Sequence, residues 1–123
     1  MKYERKISKE DVKKLFAEYE ETKDRDLRDL IIENYLYIPK ILSRKYGHKS
    51  GDNEDIFQVA CLGLMYAVER FDVSRGYEFD TFATPTIIGE IKRYYRDREW
   101  EILLQTNFEN LKASAQLIDE LSE

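Results

Sequence analysis

Residues 75–100 read RGYEFDTFATPTIIGEIKRYYRDREW, and their pattern sets the fold class for the rest of the chain. Thr84 followed by Pro85 is a helix-start signal, because proline's missing donor goes unsatisfied at a first helical position anyway. From there Ile87, Ile88, Ile91 and Tyr95 fall on one face, while Lys92 and Arg96, four apart, stack on another. No strand-like alternation interrupts them. The same helical period extends outward. Residues 8–21 open with Ser8 and Asp11 in a capping-type start and then place Val12, Leu15, Phe16 and Tyr19 on one side. Residues 25–46 carry Leu27, Leu30, Ile31, Asn34, Ile38, Ile41 and Leu42 on a stripe. Within it Pro39 removes a donor and crowds the carbonyl of Tyr35, so a kink or break is expected. Gly47 to Asn53 is polar and turn-rich, with His48 a solvated loop residue. Asn53 is placed to cap a helix from Glu54 to about Phe71, whose first turn is acidic. After the loop Asp72–Gly76 and the helix from Thr84, a capping box of Thr106 and Glu109 predicts a last helix reaching Leu121. Its apolar stripe is Leu104, Phe108, Leu111, Ala115 and Ile118. The expected fold is all-α: a compact bundle of about five helices plus a C-terminal amphipathic helix.

At 123 residues the chain has room for one core and an appendage. A lone Cys61 cannot form an internal disulfide, and with only His48 beside it no Cys/His metal set can be assembled, so neither metal nor cofactor is expected. No run approaches the apolar length of a membrane span, and the N-terminus is charged, which predicts a cytoplasmic protein without a membrane partner. The formal charge of −5 argues against a protein that coats nucleic acid non-specifically. Its distribution is uneven. Residues 1–98 sum to zero, and the whole excess lies in 99–123, which holds 6 acids and 1 base. The densest basic cluster is Lys92, Arg93, Arg96 and Arg98 around Asp97.

Within 75–100, aromatics at 77, 79 and 82, hydroxyls at 81, 84 and 86, and bases at 92, 93 and 96 make a set able to stack bases and hold a phosphate backbone. Composition alone favours the plainer reading, with the rings in a core and the bases on a solvated face.

Together with EDIFQVACLGLMYAVERFD at 54–72, this stretch resembles region two of the sigma-70 family of bacterial RNA polymerase sigma factors, in the right order and separation. The resemblance runs from residue 8 to about 100. PTIIGEIKR at 85–93 is similar to the general-stress and sporulation branch, since primary sigma factors tend to carry two tryptophans where Pro85 and Thr86 stand. The resemblance implies a non-enzymatic transcription initiation module. One partner would be core RNA polymerase, through the clamp coiled coil of its largest subunit. The other would be the non-template strand of the promoter minus-ten element. Asp55, Gln58, Cys61, Leu62 and Met65 would meet polymerase along one helix face, with Ile56, Ala60, Gly63 and Ala67 inward and Gly63 serving close packing. Tyr77, Phe79, Thr81 and Phe82 would correspond to the melting residues, with Phe82 taking the place of a flipped adenine in the stack. Thr86 joins this DNA set, Lys92 and Arg93 would meet the upstream edge and phosphates, Arg96 would support the backbone, and Arg75 would steer the displaced strand.

The implied layout is a module over 1–100 and an acidic tail over 101–123. The module divides into an N-terminal helix at 1–24, docking helices at 25–72 and the melting and recognition segment at 73–100. The tail departs from the branch, which usually has valine-proline-arginine-arginine just after the position of Trp100, where this chain reads EILLQTN at 101–107. It resembles a remnant of region three, and region four is not found. Two functions therefore stay open: a region-two module that opens promoters, and a truncated sigma-like regulator that occupies the clamp or titrates an anti-sigma factor.

Overall fold

The computed structural model describes residues 7–47 and 53–122. His48 and most of the loop expected around it lie outside the described residues. The described residues form five α-helices: α1 Lys9–Thr22, α2 Arg25–Asn34, α3 Tyr37–Gly47, α4 Asn53–Arg70 and α5 Phe79–Ser122. A 3-10 turn occupies Val73–Arg75, and there is no strand among the described residues. The chain divides into two compact units, Met1–Ile91 and Lys92–Glu123.

Helix α1 begins as its sequence predicts. Ser8 is extended, and its hydroxyl oxygen accepts the Asp11 amide at 3.2 Å, satisfying one of the donors orphaned at a helix start. Val12, Phe16 and Tyr19 are buried. The helix stops at Lys23, which adopts a left-handed conformation (φ 55°) and donates its amide to the Tyr19 carbonyl at 2.7 Å. Asp24 then caps α2 by accepting the Asp26 amide at 2.8 Å.

The break expected from Pro39 falls at Tyr35 and Leu36, one turn upstream, where the carbonyl that proline would crowd resides. The Tyr35 amide turns to the Ile32 carbonyl at 3.0 Å, and α3 starts afresh at Tyr37. This interruption shifts the phase of the stripe. Ile31, Asn34, Ile38 and Leu42 are buried along with Tyr35 and Pro39, whereas Leu30 and Ile41, expected inward on an unbroken helix, are 41% and 46% exposed.

Helix α4 buries Ile56, Ala60, Gly63, Leu64, Ala67 and Val68 against its neighbours. Gly63 permits a close helix crossing. A Cβ there would sit 2.9 Å from the Cα of Ile87 on α5, and backbone cannot yield as a flexible side chain does.

Two expected helix starts are corrected. Thr84–Pro85 lies inside α5, which begins at Phe79, and Thr106 is interior to it as well. Phe79, Ala83, Ile87 and Ile91 form a stripe of spacing four that is at most 3% exposed, and burying it holds the first turns helical across Pro85. Both Pro85 and Thr81, whose carbonyl loses its donor to the proline, are exposed, so water can satisfy that carbonyl. Beyond Gly89 no glycine or proline interrupts the sequence, and a capping box without a breaker ahead of it does not end a helix. Of the apolar stripe expected on the tail, Leu104 is exposed; the side chains of Phe108, Leu111, Ala115 and Ile118 lie outside the described residues.

Candidate nucleic-acid and protein interfaces

In the first unit, an aromatic cluster runs from core to surface. Phe79 packs on Phe16 (ring centroids 5.0 Å apart), Tyr35 (4.5 Å) and Phe71 (5.2 Å), joining α1, α2's end, α4's end and α5. Phe71 in turn touches Tyr77 at 5.8 Å and Phe82 at 5.7 Å. These two outer rings stack nearly parallel, 6.0 Å apart and 15° between planes, with Tyr77 40% exposed and Phe82 half-buried. Rings in contact with a packed core keep their orientation, so the pair presents a fixed platform edge. Local chain geometry aims it. Asp72 accepts from the Ser74 amide (3.0 Å) and hydroxyl (2.6 Å), and Gly76 takes a φ of 82° that other residues resist, turning Tyr77 back over Phe71.

Phe79, which the resemblance groups with the DNA-facing rings, is 3% exposed and anchors the platform from beneath. Thr81 is exposed, its amide tied to its neighbour Asp80 at 2.9 Å. Thr86 is half-buried and donates its hydroxyl to the Phe82 carbonyl at 3.1 Å. Arg75 is exposed and tethered, its Nε 3.7 Å from Asp72. The hydrogen bonds from Ser74, foremost, and the charge of Arg75 hold the Asp72 carboxyl below its ordinary pKa.

On α4 the residues read as polymerase-facing lie away from the core. Asp55, Gln58 and Leu62 are exposed, the last by 41%, while Cys61 and Met65 are half-buried between them and the core stripe. Burial pushes the Cys61 thiol up, more than the nearby Lys40 charge brings it down, so it stays protonated at neutral pH and acts as a small apolar contact.

The second unit carries the basic cluster. Lys92, Arg93 and Arg96 are all exposed, Arg96 with its Nε 3.9 Å from Asp97. Arg98 lies over the Tyr94 ring and donates to its hydroxyl at 3.1 Å, and Tyr94 meets Tyr95 edge-on at 5.7 Å. Trp100 is 59% exposed.

Two features escape the sequence pattern. A groove of about 390 Å³ opens between Tyr37, Ile38, Ile41 and Leu42 of α3 and Asp80, Thr81 and Thr84 of α5; its outer wall includes the Ile41 exposed by the phase shift. Lys9 and Lys13 of α1 flank Tyr77, although their spacing of four is the only trace of this in the sequence. Among the described residues no group of three His, Cys, Asp or Glu is placed to hold a metal, and no helix is long and apolar enough to cross a membrane.

A family model described as Sigma-70 region 2 matches residues 33–101. An RNA polymerase sigma-B factor from Bacillus anthracis is 36% identical over 118 residues, covering 95% of this chain and 46% of that protein. An RNA polymerase sigma-G factor from Bacillus subtilis is 31% identical over 121 residues, covering 95% and 46%. A putative RNA polymerase sigma-G factor from Bacillus thuringiensis subsp. kurstaki is 33% identical over 91 residues, covering 74% of this chain and 72% of its own length. The chain thus spans just under half the length of the first two relatives.

Proposed function

Because the chain belongs to the sigma-70 region 2 family, on its general-stress and sporulation branch, we propose that it docks on core RNA polymerase and opens promoters at the minus-ten element by capturing bases of the non-template strand. The observation that carries this reading is the Tyr77–Phe82 ring pair, rooted through Phe71 in a buried cluster yet open to solvent.

Opening a duplex requires compensation for lost stacking. A preformed aromatic surface supplies about 1–3 kcal/mol per stacked base without recognising its hydrogen-bonding edge. Phe82 takes the place of the flipped base in the stack, Tyr77 extends that stacking surface, and Phe79 serves as the rigid support below. Thr81 and Thr86 offer hydroxyl contacts beside the rings. Lys92, Arg93 and Arg96 neutralise backbone phosphates, and Arg75 guides the displaced strand. Asp55, Gln58, Cys61, Leu62 and Met65 form the docking face for the clamp coiled coil of the polymerase, a helix-on-helix contact in which Leu62 is the apolar anchor. No step makes or breaks a covalent bond. The module comprises residues 1–100, and 101–123 is its tail.

The test separates the two surfaces. Gln58→Ala and Met65→Ala should each weaken binding to core polymerase in a titration while leaving single-strand binding intact. Phe82→Ala should abolish single-strand binding and leave polymerase affinity intact. Polymerase binding with no strand binding by either wild type or Phe82→Ala points instead to the second reading, a regulator that occupies the clamp or engages an anti-sigma factor. The acidic tail, with 6 acids to 1 base over 99–123, is the feature favouring it.

A further inference from the structure

The ring platform has a cationic flank on α1, the helix least engaged by the reading above. Lys9 and Lys13, one turn apart and both exposed, line a cavity of about 90 Å³ together with Gly76, Tyr77 and Phe79. Helix α1 is held here by the Phe16 ring, 4.9 Å from that of Phe71, and by Glu20, which accepts the Val73 amide at 3.4 Å. The two lysines differ in what they face. Lys9 has its Nζ 3.6 Å from Glu78, so its charge is already matched. Lys13 makes no ion pair or hydrogen bond among the described residues.

We propose that Lys13 binds a backbone phosphate of the single strand whose base lies on the Tyr77–Phe82 pair. This rests on the strand-capturing reading of that pair. Single-strand sites combine a stacking ring with a cation that follows the backbone, because a base and its phosphate are joined through one sugar and arrive together. Among the described residues of the first unit, Lys13 is the cation that lines the Tyr77 cavity with its charge unmatched. An ammonium acts on phosphate as a point charge, so it adds affinity for any sequence and selects none.

Wild type, Lys13→Ala, Lys13→Arg and Phe82→Ala are compared by fluorescence anisotropy on a labelled single strand of repeated AAT over a range of salt concentrations. Lys13→Ala should bind several-fold more weakly at low salt, and its slope of log affinity against log salt should flatten by about 0.7, the value for one phosphate contact on a single strand. Lys13→Arg should keep affinity and slope, and thermal unfolding should be unchanged in both because the site is exposed. Wild-type affinity and slope in Lys13→Ala, with binding lost in Phe82→Ala, overturns the Lys13 contact and leaves the ring reading standing. Weaker binding with an unchanged slope overturns it too, since an indirect effect releases no counterion. Failure of wild type to bind overturns both.

Discussion

Gly63 and Gly89 have the same residue type and the same helical setting, yet their surroundings give opposite signs to one substitution. At Gly63 an added methyl meets the Ile87 Cα at 2.9 Å, so Gly63→Ala must push α4 from α5. Overpacking of that kind costs about 1–3 kcal/mol, which over most of its range exceeds the roughly 0.5–1 kcal/mol that alanine gains in a helix. At Gly89 nothing lies within 4 Å, and Gly89→Ala should stabilise by about 0.5–1 kcal/mol. Urea unfolding of the two variants against wild type measures the difference; equal midpoints would refute the close crossing. Periodicity keeps Asp55, Gln58 and Leu62 on one face of a straight helix, and the resemblance makes that face the outer one with Ile56, Ala60, Gly63 and Ala67 inward, which is how their burial falls. Phe79 is the contrasting case. A phenyl ring is as fit to stack a base as to fill a core, and nothing local distinguishes the two; only the arrival of Phe16, Tyr35 and Phe71 around it decides.

Helix ends show the same division between local and tertiary causes. Ser8 and Thr106 both carry a capping signature, three residues ahead of an acid, but only Ser8 follows a non-helical backbone and accepts an amide. Ser8→Ala should therefore cost about 1 kcal/mol of stability. Thr106→Ala should cost nothing and slightly raise helicity, since alanine is the better helix former in an interior position. Circular dichroism through thermal unfolding checks both, and a Thr106→Ala loss matching that of Ser8→Ala would mean that a separate helix starts there. The stop at Tyr35–Leu36 is legible because Pro39 acts through covalent geometry on the carbonyl four residues back. What that stop does to Ile41 is not, because the phase of α3 depends on how two residues turn, and hydrophobicity records no such angle. Likewise Pro85 reads as a start, yet four buried residues at 79, 83, 87 and 91 outweigh its missing hydrogen bond.

Across the whole molecule, charge is sorted along the chain. Residues 1–98 are neutral in sum and contain the basic cluster, and the −5 excess begins at Glu99. Sorting of this kind is legible from sequence, since it needs no tertiary contact. Its consequence comes from the uninterrupted α5: Glu99 and Glu101 follow Arg96 along one helix at about 1.5 Å of rise per residue, within a Debye length of about 10 Å at 0.1 M salt. Both acids are exposed, so their field reaches through solvent to any phosphate held at Arg96. A strand bound there as proposed would meet repulsion from the same helix that attracts it, and the balance would shift with ionic strength. Glu99→Gln combined with Glu101→Gln should tighten single-strand binding at low salt, and the gain should fade as salt rises and screening shortens the range. Anisotropy titrations of the double variant and wild type at several salt concentrations read this directly. A gain that persists at high salt would indicate a new hydrogen bond from glutamine instead, and no gain at low salt would remove the tail acids from the control of DNA binding.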